Sequence, residues 1–173
     1  VLTISKLEEG KLLLEKTEVE LRPIIEDLIE KFTAKAEKQV EFVLDLQEEK
    51  AYADEEFLKE ALSNLIDNAI KYSGESVQIK ISSSASTDGY THISVTDNGM
   101  GIPLKEQGKI FEKFERASAV IRNRKGGASG FGLGLNYVLH VVEAHHGSVK
   151  LESIEGEYSK FTINIPQHNG ETA

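Results

Sequence analysis

The stretch from Asp54 to Ser73 constrains the fold of this chain more than any other. Asp54 is a good N-cap, and an apolar pattern at helical spacing follows it as far as about Ser73. At 3.6 residues per turn, Leu62, Leu65, Ile66, Ala69 and Ile70 share one face, and Asn64, Asn68, Lys71 and Tyr72 take the opposite one. Such a helix must bury its apolar stripe against a second layer. Asparagine is a poorer helix former than Glu, Lys or Gln by several tenths of a kcal/mol. Two of them at i, i+4 in mid-helix therefore need a reason. Their carbonyl oxygens are neutral hard ligands able to share one Mg²⁺, and Lys71 can meet phosphate as a point charge. A plainly solvated face is the alternative, and the helix alone does not decide.

The rest of the chain supplies that second layer. Pro23 suits a first helical turn, and Ile24, Leu28, Ile29, Phe32 and Ala36 recur behind it at helical spacing. Val40–Leu46 alternates like a half-buried strand. Val77–Ser82 and His92–Thr96 read as strands around a Ser-rich loop ending in Asp88-Gly89. A helix is expected from about Gly132 to His145, then a pair of strands, Val149–Ser153 and Lys160–Ile165. Residues 1–9 read as the end of a helix stopped at Gly10, with Lys11–Glu15 extended beyond it, and the tail after Pro166 as disordered. The chain reads as an excised fragment of something longer. The fold expected is α+β: a two-layer sandwich, with helices on one face of a mixed, largely antiparallel sheet. The long Gly-, Lys-, Arg- and Ser-rich insertion over residues 98–130 is where function is expected to lie.

Composition excludes several classes. A net charge of −9 argues against a nucleic-acid or anionic-membrane surface. With no cysteine, thiolate metal sites, disulfides and cysteine nucleophiles are ruled out. No segment approaches the roughly 18–20 apolar residues needed to span a bilayer. The five histidines show no zinc spacing, and His145-His146 reads as a cationic cap at a helix end. Ser82–Ser86 lacks a nucleophile elbow.

Three further constellations carry chemistry. In Asp97-Asn98-Gly99-Met100-Gly101-Ile102, a carboxylate at a strand end can accept from an exocyclic amine, while glycines admit a flat ring. An ordinary turn after a strand is the alternative. Gly130-Phe131-Gly132-Leu133-Gly134-Leu135 opens a helix, where free N–H groups and the dipole bind phosphate. It could equally be a hinge. Ile110, Phe111 and Phe114 are expected to anchor the insertion to the core. Arg116 beside them could reach a phosphoryl group, whereas Arg122, Arg124 and Lys125 read as solvated charges.

In this order and spacing, the four boxes resemble the catalytic, ATP-binding domain of sensor histidine kinases, within the larger family that also holds gyrase, Hsp90 and MutL. The likeness runs from about Val1 to Pro166. Asn64–Tyr72 is similar to the N box, Asp97–Ile102 to the first glycine box, Ile110–Phe114 to the phenylalanine box and Gly130–Leu135 to the second glycine box. The resemblance implies that Asp97 holds the adenine amine, with Gly99, Gly101 and Ile102 shaping the pocket. It implies Asn68 as the main Mg²⁺ ligand with Asn64 one turn earlier, and Lys71, Tyr72 and Arg116 on ribose or phosphates. Gly130, Gly132, Leu133, Gly134 and Leu135 would flank the phosphates, and residues 115–130 would form an ATP lid. ATP and Mg²⁺ are the implied cofactors.

The implied domain plan is a dimerisation-helix remnant and linker over 1–20, the ATP-binding domain over 21–166 and a tail over 167–173. The implied partners are the protein's own histidine-bearing dimerisation domain and a response regulator, with no nucleic acid and no direct membrane contact. The parent would be a homodimer, and this part a cytoplasmic domain, with a membrane anchor elsewhere left open. Hydrolytic relatives place a glutamate where Asn64 stands, and an amide cannot take a proton from water at neutral pH. Such a site suits transfer of the γ-phosphoryl group to a histidine imidazole, with Glu60 a candidate for orienting it. Phe131, where threonine is common, and Tyr158, where glycine is common, depart from the pattern. A non-catalytic nucleotide-binding module of the same fold is the alternative they leave open.

Overall fold

A computed structural model of the protein describes residues 13–108, 110 and 131–167. The elements run β1 (Thr17–Glu20), α1 (Leu21–Lys35), β2 (Gln39–Leu46), β3 (Lys50–Ala53), α2 (Glu55–Lys71), β4 (Ser76–Ala85), β5 (Tyr90–Asp97), α3 (Phe131–Ala144), β6 (Ser148–Ile154) and β7 (Tyr158–Pro166). Five strands form one sheet in the order β2-β4-β5-β7-β6. Only the β2–β4 pair is parallel, and the other three pairs are antiparallel.

Period-two alternation decides which face of the sheet is dry. In β4, Val77, Ile79 and Ile81 are buried, while Gln78 and Lys80 point to solvent. In β7, Phe161, Ile163 and Ile165 continue the same inner face. The helices cover it with Leu28 and Phe32 of α1, Leu58, Leu62, Leu65 and Ile66 of α2, and Leu135, Val138 and Val142 of α3. The opposite face stays polar, with Lys80, Ser82, Ser94, Thr162 and Lys150 across successive strands. This is the α+β sandwich that the sequence predicts.

Several details differ from the sequence expectation. β1 pairs with β3 as a separate antiparallel ribbon, from Thr17↔Ala53 to Glu20↔Lys50. Four-residue strands carry too little alternation to read; Val19, Ala51 and Ala53 alone are buried along them. Ala36 is the C-cap of α1 rather than part of it. The β4–β5 strands are longer than expected, with Gly89 at φ 91° in the turn. Residues 1–12, the tail after Gln167 and the greater part of the 109–130 insertion lie outside the described residues.

The ends of α2 and α3 are fastened by specific groups. Asp54 caps α2, its Oδ1 accepting from Phe57 N–H at 3.1 Å. α2 stops at Lys71, short of Ser73, and Lys38 Nζ satisfies carbonyls at and just past its end, donating to Ile70 O at 2.6 Å and to Ser73 O at 3.1 Å. α3 ends with His146 at φ 63°, where Gly147 N–H reaches Val142 O and His146 N–H reaches Glu143 O, both at 2.9 Å. This is the Schellman pattern, made here without glycine at the left-handed residue.

Candidate nucleotide-binding site

Between α2 and the inner face of β5 and β7 lies a cleft lined by Leu65, Asn68, Ala69, Tyr72, Val95, Asp97, Gly101, Ile102, Ser159 and Phe161. It is apolar on most sides, with few polar groups converging. Asp97 comes from the end of β5 and is 8% exposed. Burial raises its carboxyl above the ordinary carboxylate range, opposed by the hydrogen bond from Gly99 N–H to Oδ1 at 2.8 Å. Among the described residues its second oxygen has no hydrogen-bond partner.

The loop after Asp97 is tied down strand by strand. Met100 N–H donates to Tyr72 O at 3.3 Å, and Gly156 N–H to Met100 O at 2.7 Å. Gly101 sits at φ 68°, and a Cβ there would stand 2.1 Å from Ile154 O, so no other residue fits. Ile102 N–H donates to Ser153 Oγ at 2.7 Å. Gln107 Nε2 holds both Ile102 O at 2.9 Å and Ser153 O at 3.0 Å. Ser153 Oγ also meets Ser159 Oγ at 2.9 Å, which places Ser159 beside Asp97 in the cleft. The cleft interior is only about 20 Å³, roughly one water molecule, inside a recess of about 370 Å³ that includes its open mouth.

Of the asparagines, Asn68 lines the cleft and is 6% exposed. It lies on the flank of the apolar stripe and not opposite it: at about 100° per residue Asn68 stands roughly 125° and Tyr72 roughly 90° from the stripe's centre, whereas Asn64 and Lys71 are the residues opposite. Its Nδ2 is buried without a hydrogen-bond partner. An orphaned amide in a cleft is costly unless a ligand meets it. Asn64 is one turn earlier; its Nδ2 donates to Glu60 O at 3.1 Å and its Oδ1 lies 3.4 Å from where a Cβ on Gly134 would be. The helix opened by the second glycine box thus packs against the asparagine helix at Asn64.

Other candidates lie further off. Lys71 pairs with Asp67 at 3.0 Å on the solvent side of α2, one turn apart, and does not line the cleft. Glu60 is exposed on α2. Tyr72 lines the cleft and ends α2. Gly132 and Leu133 fall in the first turn of α3, and Leu135 is buried. Ile110 is buried, as an anchor should be. Arg116, Gly130, Phe111, Phe114 and the lid over 115–130 lie outside the described residues.

His145 corrects the sequence reading. It is 1% exposed, and burial lowers its pKa, so it is no cationic cap. Its Nδ1–H donates to Val141 O at 2.8 Å and its Nε2 accepts from Asp54 N–H at 3.0 Å. Sequence reasoning also missed Ser159, Ser153, Gln107 and Lys38. Among the described residues no three His, Asp or Glu side chains gather as a metal cage. A divalent ion here would depend on an amide oxygen, ligand oxygens and water, a donor set that suits Mg²⁺ and that Asn68 fits.

Residues 53–169 match the family described as histidine kinase-, DNA gyrase B- and HSP90-like ATPase. The chain belongs to this family. Among relatives of this ATPase-family chain, the adaptive-response sensory kinase SasA of Crocosphaera subtropica is 33% identical over 96% of the chain and 43% of the relative. The chain thus spans less than half of that relative's length. Full-length ShkA, solved in complex with AMPPNP, superposes with a TM-score of 0.78 at 26% identity, covering 95% of this chain and 34% of that one. Histidine kinase ThkA, solved in complex with the response regulator TrrA, gives 0.73 at 28% identity, covering 98% and 48%. No described helix is long and apolar enough to cross a membrane.

Proposed function

We propose that the chain binds Mg·ATP and is the catalytic domain of a two-component sensor histidine kinase. It passes the γ-phosphoryl group to a histidine on a dimerisation domain for relay to a response regulator. Asp97 accepts from the adenine amine through its free oxygen, with Ser159 beside it and Gly101 and Ile102 against the ring. Asn68, with Asn64 as the second amide, would hold Mg²⁺, which when bound would supply positive charge beside the phosphates. The first turn of α3, from Gly132 to Leu135, presents backbone N–H groups to the phosphates. Gly130 and Arg116 complete this set, and Lys71 reaches it only by leaving Asp67. Residues 1–20 connect to the dimerisation helix, 21–166 carry the nucleotide and 167–173 are a tail; the parent is a homodimer acting in the cytoplasm.

One observation carries this reading: among the described residues Asp97 is the single carboxylate lining the cleft, and the α2 residue packed against Gly134 of the glycine box is the amide Asn64. An amide at Asn64 cannot take a proton from water at neutral pH, which favours transfer to a better nucleophile over hydrolysis. The likeness to ThkA and SasA supports the same branch. The chain alone should bind Mg·ADP and Mg·ATP with negligible ATP turnover. Joined to its histidine-bearing helix, it should form acid-labile phosphate there. Nucleotide binding without any such phosphate would refute the kinase reading. Asn68→Ala should remove most of the Mg²⁺-dependent part of the affinity.

A further inference from the structure

Three separate segments meet at one aspartate far from the cleft. Asp54 Oδ2 accepts from the backbone N–H of Glu15 at 2.8 Å, in the segment that leads into β1. Its Oδ1 caps α2 through Phe57 N–H. Its own N–H donates to His145 Nε2, at the end of α3. Both side chains are nearly sealed from solvent, Asp54 at 7% and His145 at 1% exposure. The ribbon between β1 and β3 keeps Glu15 in place, because Thr17 pairs with Ala53, the residue before Asp54.

The middle of α2 and the start of α3 meet at the site. From Asp54, α2 runs ten residues to Asn64, about 15 Å at 1.5 Å per residue. From His145, α3 runs back to Gly134, which lies against Asn64. The two helices therefore run antiparallel, joined at Asp54–His145, packed through their buried stripes and in contact again at Asn64 and Gly134.

We infer that Asp54 and His145 form a latch through which the segment entering the domain sets the spacing of α2 and α3 at the nucleotide site. Both are positioning residues; neither lines the cleft. Held by Asp54, Glu15 fixes the start of α2 relative to the end of α3. Pulled away, it leaves a buried carboxylate oxygen without its donor, a loss the cap can relieve only by shifting. The charged and titratable groups around His145 are Lys16 from the entering segment, Asp54 from the α2 cap and His146 from its own helix end. The latch rests on the proposed nucleotide site.

Asp54→Asn tests it. Asparagine caps a helix as well as aspartate, so Phe57 keeps an acceptor, but the amide turns a donor toward Glu15 N–H. The expected result is an unfolding midpoint lowered by about 2–4 °C, faster hydrogen exchange at the amides of residues 15–20, and about 5-fold weaker Mg·ADP binding by calorimetry at a temperature where the variant stays folded. Because coupling is reciprocal, saturating Mg·ADP should slow exchange at residues 15–20 in the wild type and leave it unchanged in Asp54→Asn. His145→Leu, which fills the volume but offers Asp54 N–H no acceptor, should uncouple the same amides. Wild-type exchange at 15–20 unmoved by saturating Mg·ADP would overturn the latch alone. Failure of the wild type to bind Mg·ADP at all would overturn the nucleotide site and the latch together.

Discussion

Lys38→Met should destabilise the domain by about 2 kcal/mol, although Lys38 lies outside every motif. Its ammonium donates to Ile70 O at 2.6 Å, to Ser73 O at 3.1 Å and to Ser73 Oγ at 3.2 Å. A hydrogen bond involving a charged group is worth about 1.5–3 kcal/mol in place. The three share one cation, so they do not add, and fixing a lysine side chain costs up to about 2 kcal/mol. The charge at the helix C-terminus adds about 0.3–1 kcal/mol. Methionine keeps the apolar stem and removes the charge, which isolates these terms from packing. For a chain of this size, 2 kcal/mol corresponds to a fall of about 4–8 °C in Tm, readable by differential scanning calorimetry. Hydrogen exchange should localise the change to residues 68–73, and Mg·ADP affinity should drop with it, since Asn68 and Tyr72 lie in that turn. A fall of less than about 1 °C would refute the assignment of Lys38 as the C-terminal cap of α2.

Three further outcomes are expected. His146→Gly should raise Tm by about 2–4 °C, since a left-handed residue other than glycine costs about 1 kcal/mol, and an unchanged Tm would deny that strain. Because burial lowers the pKa of His145, the unfolded chain binds a proton that the folded chain refuses. Stability from this group is therefore complete above about pH 6.5 and declines as the pH falls toward the folded value; a urea midpoint followed from pH 7.5 to 5 should show a slope that His145→Gln reduces. Asp97→Asn should bring adenine and guanine nucleotides closer in affinity, because an amide donates as well as accepts; calorimetry with both that found the preference intact would remove Asp97 from base recognition.

Where side-chain periodicity was long, the sequence was legible. β4 and β7 alternate over enough residues, and α2 repeats its stripe for enough turns, that layers and sheet follow from pattern alone. Asp54 as a helix cap, and Asp97 at a strand end followed by a glycine turn, are legible because cap and turn chemistry is local. The missed features are those made across the chain. Nothing near Lys38 says that its ammonium will meet a helix end 32 residues on, and nothing near His145 says that its imidazole will lie against Asp54. Two adjacent histidines at a helix end read as charge, yet burial makes one of them a neutral acceptor. Asn68 and Tyr72 group with the face opposite the stripe only if two faces are allowed; worked residue by residue, helical geometry puts both on the flank that the cleft occupies.

The lining of the recess has a thermodynamic consequence. A ring seated beside Asp97 would cover Leu65, Val95, Ile102 and Phe161, so most of the surface it removes from water there is apolar. Nucleotide binding should then carry a negative heat-capacity change, and its enthalpy should become more favourable as the temperature rises.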